Sequence, residues 1–238
     1  MTFRPLPVLS VLTLMALAVL IGLGVWQLQR RAEKHTLLDQ IASRGAMAPA
    51  PVEILLATGE YAAYRPATAH GAFDHAHEAF VFAPRSDKGP TLPGYKVITP
   101  FRLESGGLIL ADRGWVPADR RSPDTRPKGQ TTEESQIAGS LRPSARPSQF
   151  TPNPDLASRV FYQRDSSAIS RGLGLSLSSP LILELTTAVE GGPEPLPAQL
   201  NIPDNHLSYA LTWFGLAIVL TVIYLRFHYV RGRLKLAQ

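Results

Sequence analysis

Residues Asn205 to Lys235 read NHLSYALTWFGLAIVLTVIYLRFHYVRGRLK. From Leu207 to Leu225 no formal charge interrupts the run, and its length of about 19 residues is close to the roughly 20 that a helix needs to cross a bilayer's hydrocarbon core. The stretch therefore reads as a membrane span. His206 stands at its entrance, and Arg226, Arg231, Arg233 and Lys235 at its exit. The spacing i, i+3, i+4, i+7 places His206, Tyr209, Ala210 and Trp213 on one helix face. A neutral imidazole there is able to ligate iron or copper, and two aromatic rings beside one small residue suit a flat apolar macrocycle. The same rings also fit an interfacial belt, because Tyr and Trp collect at bilayer boundaries. Spacing alone leaves both readings open.

Working outward, a second apolar run extends from Leu6 to Trp26, again about long enough to span. It continues into GLGVWQLQRR without the small-x-small site that ends a signal peptide, so it is expected to remain as an anchor. Gly22 and Gly24 make a small surface near its end where a second helix could come close. Two spans put both chain ends on one side and the segment from about Gln29 to Asp204 on the other. The basic tail argues for a cytoplasmic C-terminus, whereas Arg30, Arg31 and Lys34 argue the reverse against Arg4. Long loops cross membranes largely regardless of charge, so the short tail weighs more. The expectation is termini inside and loop outside.

With 238 residues, 45% hydrophobic and 18% charged, the chain can hold one or two domains with a core. The net charge of +5 is concentrated beside the spans and forms no aromatic-interleaved basic stripe, which argues for topology and lipid contact and against nucleic acid. The absence of cysteine excludes disulfides, thiolate metal sites and covalent haem attachment through C-x-x-C-H.

Between the spans the pattern changes. Arg30 to about Ile41 keeps helical intervals and prolongs the first helix, until the Ala-Pro repeat at Ala48 to Pro51 ends it. Tyr64–Phe73, Ala79–Pro84, Tyr95–Arg102, Leu108–Ala111, Gln136–Leu141, Val160–Gln163 and Leu181–Thr187 read as short strands between Gly, Pro and Asp clusters. Gly106-Gly107 marks the best hairpin. Asp165 is a plausible N-cap for a short helix. Asp119 to Glu134 is polar and Pro-rich and reads as a long exposed loop. Glu190 to Pro203 returns the chain to the membrane. The expected architecture is a membrane protein with two transmembrane helices flanking one β-rich, antiparallel α+β domain, with barrel closure as one option. Its expected divisions are residues 6–27, 28–204, 205–227 and a basic tail at 228–238.

Enzyme motifs are missing: no G-x-S-x-G, H-E-x-x-H, P-loop or G-x-G-x-x-G occurs. HGAFDHAHE, from His70 to Glu78, invites a metal reading. On a strand, however, His75 and His77 would face one way and Asp74 and Glu78 the other, so a solvated turn competes with it. Arg113-Gly114-Trp115 follows an apolar strand. It reads either as a structural corner, with Gly114 allowing a turn or close approach, or as a partner-facing or propionate-facing arginine.

Four blocks stand out: GVWQLQR from Gly24, PGYKVITP from Pro93, LADRGWVP from Leu110 and NHLSYALTWF from Asn205. Together they strongly resemble the Surfeit-locus-one family of cytochrome c oxidase assembly proteins, in its bacterial type. The resemblance runs from the first span to the second. It implies a non-enzymatic assembly factor that binds haem a and assists its delivery into the oxidase's catalytic subunit. The family's histidine falls on His206, the implied ligand of the haem iron. The implied partners are that catalytic subunit, with haem a synthase as a further candidate, and membrane lipid. The implied location is the bacterial inner membrane, with the central domain periplasmic. Asp204 stands where many members have a second Asn, which bears on local contacts and leaves the ligand in place.

A two-span hairpin also brings Trp26 and Gln27 to the depth of His206. An imidazole ligand, apolar walls from Trp26, Tyr209 and Trp213, and Arg30 at the water boundary would suit a hydrophobic macrocycle with two propionates. The competing expectation is a haem-independent scaffold that grips an oxidase intermediate through its β domain.

Overall fold

The computed structural model describes residues 2–3, 5–86, 90–131, 133–196, 204–231 and 234–235. Arg4, Arg233 and residues 197–203 of the expected return segment lie outside them. The chain divides into a helical unit, residues 1–39 with 200–238, and a β-rich unit, residues 40–199.

In the helical unit, α1 (Pro7–Gly45) runs for 39 residues and α4 (His206–Val230) for 25. Both are long and apolar enough to cross a membrane, and only 11% of each apolar window is buried. A core helix of a soluble protein would be mostly covered, whereas these present apolar side chains nearly all round. Where the helices touch, small residues do the packing: Ala210 and Ala217 are buried, and any Cβ at Gly24 would collide with the Phe214 ring. Gly22 faces open space, so only one of the two glycines serves the contact. At the other end the hydroxyls of Ser10 and Tyr224 share a hydrogen bond. The buried His228 donates from Nδ1 to the Tyr224 carbonyl (2.9 Å) and accepts at Nε2 from the Leu6 N–H (3.4 Å). Such polar contacts hold helices together where lipid offers no hydrophobic drive. The chain ends meet as an antiparallel pair, β1 (Thr2–Phe3) with β10 (Leu234–Lys235), so both ends of this unit lie on the same side.

The β-rich unit begins with β2 (Ala50–Pro51) and the short α2 (Val52–Leu56). Then come β3 (Pro66–Phe73), β4 (Ala79–Phe82), β5 (Gly94–Leu103), β6 (Leu108–Pro117), β7 (Ser135–Arg142), β8 (Val160–Phe161), α3 (Ser166–Leu173) and β9 (Ile182–Leu185). Five strands close a barrel in the order β3-β7-β9-β6-β5, with β5 returning to β3. Closure leaves these strands no free edge along their shared length. Most pairings are antiparallel as expected, but β9 joins β6 in parallel, as β2 joins β3 and β8 joins β4. Phe101, Ile109, Leu141 and Leu183 fill the barrel, and Ile98, Leu110, Phe161, Ile169 and Ile182 form a second core with α3.

The Gly106-Gly107 hairpin joins β5 to β6 with positive φ at both glycines (85° and 101°). Asp165 caps α3, accepting from the N–H groups of Ser167 (2.9 Å) and Ala168 (3.2 Å). The segment Asp119–Glu134 departs from an exposed loop. It winds through three 3-10 turns, Ala118–Arg120, Pro123–Thr125 and Pro127–Gly129, and buries Arg126.

Candidate functional site

The head of α4 is assembled by one stripe of α1. Gln27, Arg31 and His35 recur every four residues and so share a helix face. His35 Nε2 lies 2.8 Å and Arg31 Nε 3.8 Å from the carboxylate of Asp204, whose other oxygen accepts from the His206 N–H at 3.2 Å. Asn205 makes no side-chain cap, so Asp204 satisfies one of the free amides that begin the helix. The hydrogen bond from His35 holds the Asp204 carboxyl below its ordinary range. The aspartate that departs from the family pattern is thus an ion-pair partner at the start of the helix.

The same stripe reaches the imidazole: His206 Nδ1 lies 2.8 Å from Gln27 Oε1. An amide oxygen only accepts, so Nδ1 donates, and in the neutral imidazole Nε2 then keeps its lone pair. Among the described residues nothing hydrogen-bonds Nε2. Trp26 and Tyr209 expose 46% and 56% of their surface, enough for aromatic contact with a further molecule, and Trp213 is half-buried. The Arg30 guanidinium lies 5.7 Å from the Trp26 ring centre and donates to Glu33 at 2.8 Å. Exposed pairs of that kind are worth about 0–1 kcal/mol, so Arg30 can exchange its partner.

The helical unit therefore ties His206 to Gln27, and Arg30 to Trp26. The side chains of Tyr209 and Trp213 make no hydrogen bond or ring contact of their own among the described residues. The imidazole is half-buried, with Nδ1 engaged and no hydrogen bond to Nε2 among the described residues, and a neutral imidazole nitrogen of that kind is chemically able to take a haem iron. Among the described residues no group of three or more His, Asp or Glu side chains converges as a bare metal site would require.

The His70–Glu78 segment has a different job. His75–His77 forms a 3-10 turn, not a strand. His75 bonds the Glu78 carboxylate at 3.2 Å and the Thr131 carbonyl at 2.7 Å, and His77 bonds Asp74 at 2.9 Å. Ala76 and much of His77 stay open to solvent as a surface turn would, but Glu78, just after the turn, is only 1% exposed. Its oxygens receive Arg113 at 2.9 Å and Arg126 at 2.8 Å. Burial alone would raise the Glu78 carboxyl, but the His75 hydrogen bond and the two guanidinium charges outweigh it and hold it at about 2.

Arg113 gets there through a β-bulge. Lys96 pairs with Trp115 and Ile98 with Asp112, so Val97 alone opposes Arg113 and Gly114. Gly114 takes φ +116°, and a Cβ there would run into the Glu194 carbonyl. The bulge aims Arg113 inward, and Trp115 donates from Nε1 to the Ala83 carbonyl at 2.7 Å. The Arg113 side chain is committed to Glu78 and buried, so the structural corner prevails over a propionate-facing arginine. The sequence reading missed Glu78 as its partner and Arg126 as the second guanidinium on that carboxylate. Their cue was a lone buried-strand arginine that required a carboxylate.

Two membrane-length helices bracketing a closed five-stranded barrel, with an oriented histidine at the head of the second helix, define a class of helix-anchored barrel proteins. A family model described as SURF1 family matches residues 14–218, from within α1 to within α4. Surfeit locus protein 1 of Xenopus tropicalis is 30% identical, over 91% of this chain and 75% of the relative. That of Gallus gallus is 32% identical, over 86% and 70%. The SURF1-like protein of Rickettsia prowazekii (strain Madrid E) is 30% identical, over 91% and 88%. The chain belongs to the SURF1 family.

Proposed function

We propose that this protein is a non-enzymatic assembly factor for haem-copper cytochrome c oxidase, holding haem a at His206 and passing it to the oxidase's catalytic subunit. Family membership and the four sequence blocks support the assembly role. The single observation that carries the haem reading is the free Nε2 of His206, opposite an engaged Nδ1. His206 would ligate the iron, Trp26, Tyr209 and Trp213 would cover the apolar body, and Arg30 would meet the propionates. Haem a, when bound, supplies a Lewis-acidic iron that takes the imidazole nitrogen. The chain's own residues orient that nitrogen and shield the macrocycle from water. The protein would sit in a bacterial inner membrane with its termini cytoplasmic and its barrel periplasmic, near the catalytic subunit and haem a synthase.

A scaffold reading draws on a different observation. Phe150 (84% exposed) and Leu156 (56%) stand out from the β-rich unit, as docking residues would. Purification of the full chain from cells that make haem a, followed by an absorption spectrum, separates the two. Haem a copurifying in near-stoichiometric amount is the expected result; a haem-free protein that still captures the oxidase subunit would favour the scaffold.

A further inference from the structure

We infer that Gln27 is a positioning residue for His206: its side-chain oxygen holds the imidazole in the form protonated at Nδ1, which leaves the Nε2 lone pair ready for iron. The inference rests on the reading of His206 as a haem ligand, but its first consequence belongs to the haem-free protein.

The Gln27 Oε1 to His206 Nδ1 distance of 2.8 Å is that of a normal hydrogen bond. A neutral imidazole carries one N–H, and the amide oxygen has no proton to give. The proton therefore sits on Nδ1. A histidine free in water populates both tautomers and favours the Nε2–H form, which must lose or move its proton before Nε2 can bind a metal. Ligating histidines commonly give their second N–H to a fixed acceptor, which sets the tautomer and raises ligand basicity. Gln27 is well placed for this, being within the continuous α1 and half-buried. The next residues on its stripe, Arg31 and His35, hold Asp204, which accepts from the His206 N–H. Ring and backbone of His206 are thus fastened to one face of one helix. A neutral acceptor also differs from a carboxylate. Glutamate at this position would push more electron density onto the imidazole and lower the reduction potential of a bound iron.

The test uses the full chain with nitrogen-15-labelled histidine, reconstituted in lipid at about pH 8, above the ordinary histidine range. The His206 signals, among six histidines, are identified by their loss in His206→Ala. Without haem, the wild type should show His206 protonated at Nδ1, and Gln27→Leu should move it to a mixture richer in Nε2–H. A wild-type Nε2–H form, or an unchanged tautomer in Gln27→Leu, overturns the inference whether or not haem binds. With haem a supplied, Gln27→Leu should bind about ten-fold to a hundred-fold more weakly. Gln27→Glu should restore binding with a lowered midpoint potential. Undiminished affinity in Gln27→Leu, while His206→Ala loses haem, sinks the role of Gln27 and leaves that of His206 standing. Undiminished haem in His206→Ala sinks the ligand reading itself.

Discussion

Gly114 sits where three demands meet: a bulge that turns Arg113 inward, a positive φ of 116°, and the backbone of Glu194 occupying the space a Cβ would need. Gly114→Val therefore strains the backbone by about 1–3 kcal/mol, before the displacement of Glu194 is counted. Thermal melting of the purified variant should show a midpoint lowered by several degrees, and a wild-type melt would mean the bulge is not required. The buried carboxylate it serves makes a second prediction. Glu78 is held at about 2 against an ordinary 4.5, a depressed acid, so its contribution is full above about pH 4.5 and fades as pH falls toward 2. The contribution is on the order of 3 kcal/mol. Glu184, lowered by Lys96, Arg164 and Arg142 against its own burial, slopes the same way. Glu78→Gln should therefore be less stable at neutral pH and lose less on acidification, and an unchanged pH slope would contradict the assignment. The need for a small residue at Gly114 was legible in R-G-W. Its ion pair was not, because Arg113 meets a carboxylate 35 residues away in sequence, across a closure that local pattern does not encode.

Among the elements, those set by local chemistry were the readable ones. The apolar lengths of both helices, the double-glycine hairpin and the Asp165 cap depend on residues within a few positions of one another, so composition and spacing reveal them. Asp165→Ala should cost about 1 kcal/mol of stability, measurable by denaturant titration. The parallel joining of β9 to β6 and the return of β5 to β3 depend on contacts far apart in the chain, and short alternating runs specify no partner. The burial of Arg126 was hidden for the same reason: a polar, Pro-rich stretch reads as solvent-facing until its carboxylate partner is known. Arg126→Leu strands half of the Glu78 charge and should destabilise the unit by about 3–5 kcal/mol. In the helical unit, Gly24 was visible as a small surface, but its partner Phe214 was not. Gly24→Leu should part the helices at that level while Gly22→Leu should not. Cysteine cross-linking across the helix pair reads the difference, and equal yields for the two variants would count against the contact.

At the scale of the molecule, two helices of spanning length and the pairing of Thr2–Phe3 with Leu234–Lys235 place those two segments on one side. Cytoplasmic reporters are expected to work when fused at Gln238, and reporters active outside the cell membrane when inserted at the exposed Asn153. The reverse pattern would invert the proposed orientation. His206 was singled out as the proposed ligand because family resemblance and helical spacing agree on it, and its hydrogen bond to Gln27 was half-legible, since Gln27 shares its depth in any two-span hairpin. The clasp through Asp204, His35 and Arg31 was not, because ion pairs between helices leave no mark in a single stretch. The central claim is that His206 holds haem a, and the most direct measurement is the haem-to-protein ratio of wild type, His206→Ala and Trp213→Ala at equal membrane abundance in cells making haem a. The account predicts nearly complete loss in His206→Ala, with the protein still inserted and folded, and partial retention in Trp213→Ala. A His206→Ala protein that retains the wild-type ratio would contradict it.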